Sequence, residues 1–140
     1  MTGVDYDICR TQQRIYEYMA SEGYDIASFS DAYLASDFCR RAMDTIYSRF
    51  QLETPLECSD FYMPEIGAQL KKLAPGMTYD VDVAGWIGFT YRQIYIETGT
   101  PSASLVKMIP FQTMERYYPG MHTIDEEEAA QIIIENAFGK

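Results

Sequence analysis

Histidine occurs once in this chain, at His122, and that scarcity removes every catalytic or metal site that needs two imidazoles. Cysteine is nearly as rare. Cys9, Cys39 and Cys58 are odd in number, far apart and free of any CxxC spacing, so reduced, buried thiols are expected rather than a metal ribbon or a disulfide framework. Basic residues are few: 11 Lys and Arg stand against 21 Asp and Glu, a formal net charge of -10. A surface of that sign repels phosphate backbones and forgoes the counterion release behind most nucleic-acid affinity, so direct binding to DNA or RNA is not expected. No run approaches the roughly 18 uncharged apolar residues needed to cross a bilayer, because Asp82, Arg92 and Gln93 interrupt the most apolar stretch. The first residues, MTGVDYDICR, carry neither the basic region nor the apolar run of a secretory signal. A cytoplasmic protein with no membrane partner is the expectation. Alternating strand patterns, hairpin turns, internal repeats and low-complexity segments are missing as well, which leaves an all-α fold.

What is present is helical periodicity in a chain of 140 residues, a length suited to one domain spanning 1–140. Ile8, Ile15 and Met19, with Tyr16 alongside, predict a helix over residues 4–22 that ends at Gly23. In FSDAYLASDFCRRAMDTIYSRFQ, Leu34, Phe38, Ala42, Ile46 and Phe50 recur every four residues. That spacing predicts the clearest amphipathic helix in the protein, with a break near Ser36. After a loop through Thr54, Pro55 and Ser59, a shorter helix is predicted from Pro64, with Ile66, Leu70 and Leu73 as its stripe and Pro75-Gly76 as its stop.

The segment VAGWIGFTYRQIYIETG is apolar round nearly its whole circumference, can be capped by Asp80 or Asp82 and turns at Thr98-Gly99. It predicts a central apolar helix at about residues 82–98, with Trp86 as interior scaffolding, round which a compact multi-helix domain packs. Gly85 and Gly88, one turn apart, predict close approach by neighbouring helices, since each costs about 1 kcal/mol relative to alanine. GWIG has neither the spacing nor the preceding strand of a phosphate loop. Short helices are expected from Thr100 or Ser102 to Pro110 and over residues 111–118 up to Pro119-Gly120. In the last helix Thr123 and Glu126 form a capping box, and Ala130, Ile133, Ala137 and Phe138 form the stripe. The run Glu126, Glu127, Glu128 falls in that helix's first turn, where acids suit the macrodipole.

Arg92 lies in the segment expected to be central, where a charge is costly unless paired, and Glu97, Asp80 or Asp82 is its expected partner. His122 next to a cysteine, or to Arg92 and several acids, is what an enzyme would require; next to a capped helix its ordinary role is packing. A helix-turn-helix with residues 111–118 as recognition helix offers a single arginine to a groove, in a chain of the wrong charge. Tyrosine is abundant, 12 against 7 phenylalanines, and suits half-wet contact surfaces. Tyr117 and Tyr118, adjacent at a helix end, cannot both face one core. Tyr117, Tyr118, His122 and Arg92 are the candidate partner-binding residues, and no catalytic residue, metal or cofactor is expected.

The stretch GWIGFTYRQIYIETGTPSASLVKMIPFQTMERYYPGMHTIDEEEA resembles a small bacterial family. In that family an aromatic helix and a TG turn precede a serine-capped short helix, a further short helix, and an HTID-type motif before the last helix. SDFCRRAMD and PLECSDFYMPEIG fit the same pattern, so the resemblance extends over most of the chain. It implies a protein encoded near ADP-ribosyltransferase-like toxins in toxin–antitoxin-like cassettes, and it carries no catalytic residue to this sequence. The expectation is a non-enzymatic acidic protein that neutralises or regulates a cognate protein, a toxin or a nucleic-acid-handling effector, in a 1:1 complex or as a symmetric homo-oligomer. The alternatives are a phage-type inhibitor that mimics nucleic-acid charge and a small enzyme using His122 with acids in a pocket.

Overall fold

Thr2 and Asp5 start the first helix with a reciprocal cap: Asp5 N–H donates to Thr2 Oγ1 at 3.0 Å, and Thr2 N donates to Asp5 Oδ2 at 3.2 Å. The computed structural model describes residues 1–139. Along them run α1 (Gly3–Ser21), α2 (Ile26–Leu34), α3 (Pro55–Ile66), α4 (Val81–Thr98), α5 (Ser102–Met108), α6 (Phe111–Met121) and α7 (Glu126–Phe138). A π-helical turn, Cys39–Met43, and two 3-10 turns, Arg49–Leu52 and Gly67–Gln69, interrupt the connections. The only β pairing among the described residues is an isolated antiparallel bridge between Tyr24 and Lys72. The domain is all-α, as the sequence predicts.

α4 is capped by the Asp80 carboxylate, which accepts from Asp82 N and Val83 N, and it ends at Gly99 with φ of 72°. Every residue over 87–94 is buried, with α1 along one side and α5, α6 and α7 on others. The two glycines set the distance to α1. A Cβ at Gly88 would lie 2.7 Å from the Tyr16 ring and 2.9 Å from the Gln12 carbonyl oxygen, and one at Gly85 would lie 2.5 Å from Glu17 Oε2. The gap left at Gly88 also lets Gln12 Nε2 donate to the Gly88 carbonyl at 2.8 Å. Ile8, Ile15, Met19, Ile87, Tyr91, Ile94 and Ile133 belong to one continuous apolar cluster built from both ends of the chain.

The periodic segment 29–51 is not one helix. Leu34, Phe38 and Ala42 are buried as expected, but Ile46 is 99% exposed and Tyr47 80%. Ser36 ends α2 by donating from Oγ to Tyr33 O at 2.6 Å while accepting from Cys39 N at 2.9 Å. Glu65 then takes the free amides of Asp37 and Phe38 at 2.6 and 3.0 Å. Beyond Met43 the chain leaves helical geometry, and Gln51 fastens the loop by donating to Thr45 O at 3.0 Å and accepting from Ser48 N at 3.0 Å.

Four predicted boundaries also move. Thr54 caps α3 and Pro55 is its first-turn proline, so Pro64 lies inside the helix rather than at its start. Residues after Leu70 are extended, because Asp25 N bonds Lys71 O and Leu73 N bonds Gly23 O, each at 2.9 Å, clipping the segment to the end of α1. α6 continues through Pro119 to Met121, and α7 is capped by Asp125, not Thr123.

Candidate functional site

α4 carries two clusters of polar and aromatic side chains, six residues apart. The first is closed. Arg92 has 0% exposure, and each of its guanidinium nitrogens has an acceptor. Nη1 donates to Asp44 Oδ1 at 2.7 Å, Nε and Nη2 donate to Gln12 Oε1 at 3.0 and 2.9 Å, and Nη2 also reaches Ser102 Oγ at 3.0 Å. Asp44 accepts further from the Ser102 amide at 2.8 Å and from its hydroxyl at 2.6 Å, so the start of α5 is tied to the same carboxylate. Tyr33 donates to Gln12 Oε1 at 3.1 Å, and the Tyr95 ring stands 4.9 Å from the guanidinium carbon. Burial opposes the guanidinium charge, but the bonded Asp44 carboxylate offsets it and the group stays protonated.

Two sequence expectations are corrected here. The partner of Arg92 is Asp44, not Glu97, Asp80 or Asp82, and an arginine sealed in the interior presents nothing to a second protein. Asp44 reaches Arg92 only where the chain has unwound after Met43.

The second cluster is open. Asp82, Trp86 and Phe89 sit at i, i+4 and i+7 of α4 and so share one face, away from the core-facing Ala84, Ile87, Tyr91 and Ile94. They line a groove of about 220 Å³ whose other walls are Gln13 and Glu17 of α1, Tyr118 of α6, His122 just beyond it and Glu126 of α7. Trp86 is half-buried, with its ring edge-on to Tyr118 at 5.8 Å and 78°. His122 stacks on Tyr118, with centroids 4.2 Å apart and planes 10° from parallel. Its Nδ1 lies 2.7 Å from the Tyr118 carbonyl, which can only accept, so Nδ1 carries a proton. Trp86 is therefore groove wall, not interior scaffolding, and that expectation is overturned. An indole is large and amphipathic enough to pack its inner edge while the rest of the ring stays wet.

The groove's acids are held in place. Glu17 accepts from Gln13 Nε2 at 2.9 Å and rests against the bare backbone of Gly85. Asp82 and Glu126 occupy first helical turns, where the N-terminal dipole favours a negative group. Partial burial raises the Glu126 carboxyl pKa, Asp125 raises it further, and Arg10 opposes both. None of Glu17, Asp82 and Glu126 is in an ion pair among the described residues.

Of the residues singled out from sequence, Tyr118 and His122 meet in this groove. Tyr117 turns toward α7, where its hydroxyl accepts from Asn136 Nδ2 at 3.0 Å. The cysteines are all buried, with Cys9 and Cys58 pushed up to about 12 by burial, while His122 is exposed, so no Cys–His pair is assembled. Among the described residues no cluster of His, Cys, Asp or Glu is arranged to hold a metal ion, and no helix is long and apolar enough to cross a membrane. Sequence reasoning missed Trp86, Glu17, Asp82 and Glu126; the Asp82–Trp86–Phe89 spacing was the signal available for part of that set. Compared with protein-family models, curated proteins and solved structures, the chain matches none.

Proposed function

We propose that this chain is a non-enzymatic, cytoplasmic binding protein that neutralises or regulates a basic protein partner by covering its working surface, in the manner of an antitoxin. One observation carries the reading: an open groove walled by Trp86, Tyr118 and His122 and rimmed by three carboxylates with no ion-pair partner. Aromatic side chains at a half-wet site supply contact affinity, and a net charge of -10 speeds encounter with a cationic surface. The resemblance to toxin-linked families points the same way, toward a toxin or a nucleic-acid-handling effector as partner.

The test is co-expression with the proteins encoded beside it, followed by purification of the complex. A stable complex with one neighbour that Tyr118→Ala weakens supports the reading. A complex with none, or one indifferent to the groove, contradicts it. The same groove also brings His122 together with three acids, which is the arrangement an enzyme reading requires. Against it, no hydrogen bond among the described residues joins His122 to any of those acids, so nothing orients the imidazole as a base.

A further inference from the structure

We infer that the Trp86 groove is a receptor for a single cationic side chain, the guanidinium or ammonium head of an arginine or lysine presented by the partner. The inference rests on the reading of this groove as the partner site and adds the chemistry of what enters it.

Size comes first. At about 220 Å³ the groove is smaller than the roughly 300–1,000 Å³ of sites that enclose a drug-sized molecule, yet it accommodates one extended side-chain head. Shape follows. Trp86 and Tyr118 meet edge-on at 78°, forming a corner with an indole on one wall, and indole is the aromatic surface that attracts a cation most strongly. Charge then selects the occupant. Glu17, Asp82 and Glu126, from α1, α4 and α7, line the same groove, and none has an ion-pair partner among the described residues. Arg10 acts on Glu126 only through its field, forming no ion pair with it, and donates to the Tyr6 hydroxyl at 3.5 Å.

An anion would be repelled from this rim. An apolar group would strip water from three carboxylates and return no hydrogen bond. A cation satisfies both features, because its charge meets the acids while its flat or methylene surface lies on Trp86. Gly85 belongs to the device, since its missing side chain is what lets the Glu17 carboxylate sit against α4.

Trp86 is the sole tryptophan, so its emission reports on this groove alone. The experiment titrates the full chain at low ionic strength with N-acetyl-arginine amide and, in parallel, with the uncharged isostere N-acetyl-citrulline amide and with a neutral hexose. Saturable change in Trp86 emission is expected for arginine at about tenfold lower concentration than for citrulline, from one cation–π contact plus exposed ion pairing. Added salt weakens it. Asp82→Asn and Glu17→Gln each reduce the arginine response several-fold while leaving the thermal melt unchanged. Equal response to citrulline, preference for the hexose, or no response to arginine overturns the inference. So does a partner complex that forms undiminished with Asp82→Asn and Glu17→Gln combined, although partner binding itself would then stand. Conversely, an arginine-selective groove in a protein that forms no complex with its neighbours leaves this inference intact and removes the functional reading above.

Discussion

Arg92 and Trp86 lie less than two turns apart on the same helix, yet one ends in a sealed network and the other at an open rim. Around Arg92 every donor has an acceptor and the single carboxylate, Asp44, is fully engaged. Around Trp86 three carboxylates face an aromatic corner with no cation among them. A buried charge must be paired for the chain to fold, whereas exposed, uncompensated charge beside aromatic surface awaits something from outside. The first cluster is satisfied within the chain and the second is not.

The comparison breaks most sharply if the two clusters respond alike to mutation. Arg92→Met strands the Asp44 carboxylate and Asp44→Asn strands the guanidinium. Each is expected to cost about 3–5 kcal/mol in urea unfolding, with the double variant losing less than the sum because the sites are coupled. Asp82→Asn, at the open cluster, should stay within about 0.5 kcal/mol of the parent.

The glycines give a smaller contrast of the same kind. Gly88→Ala drives a Cβ into the Tyr16 ring and the Gln12 carbonyl and should cost about 1–3 kcal/mol. The nearest atoms to the Cβ of Gly85→Ala are all in the Glu17 side chain, from Cγ to Oε2, which is flexible and can change rotamer. The gain in helix propensity, about 1 kcal/mol, then offsets the disturbance. Its melting temperature should barely move while arginine binding falls.

Thiol chemistry sharpens the interior side. Burial raises the pKa of all three cysteines, Cys9 and Cys58 to about 12, so near pH 8 they are protonated and shielded. Alkylation of the folded protein by iodoacetamide at that pH should be slow and should become fast in denaturant; rapid labelling of any one thiol in the native state would show that the core is looser than described. The least effect is expected at Ile46, whose 99% exposure puts Ile46→Ser within about 0.5 kcal/mol by the same unfolding measurement.

How far the sequence was legible follows from the range of the interactions involved. α4 was readable at both ends because Asp80 and Gly99 act locally, within a turn of the residues they cap. In segment 29–51 the break near Ser36 lies where the sequence places it, and the misreading begins after Met43, where Asp44 pairs with Arg92, 48 residues further on, a contact that no local pattern announces. Thr54-Pro55 carried an ordinary cap and first-turn signature that the stronger-looking stripe after Pro64 obscured. At the site, Tyr118 and His122 were found through their position at a helix end. Trp86 was misplaced because apolarity round the whole of α4 hides the point, at residues 82 and 86, where the face that buries Phe89 opens to solvent.

Collisional quenching of Trp86 fluorescence by caesium and by iodide, at matched low ionic strength, tests the open acidic groove most directly. Caesium should quench efficiently and iodide poorly, because the indole is reachable and the surrounding carboxylates attract the cation and exclude the anion. Quenching by neither ion, or better quenching by iodide, would mean that Trp86 is either sealed in the core or set in a different field, and the account of this face would be wrong.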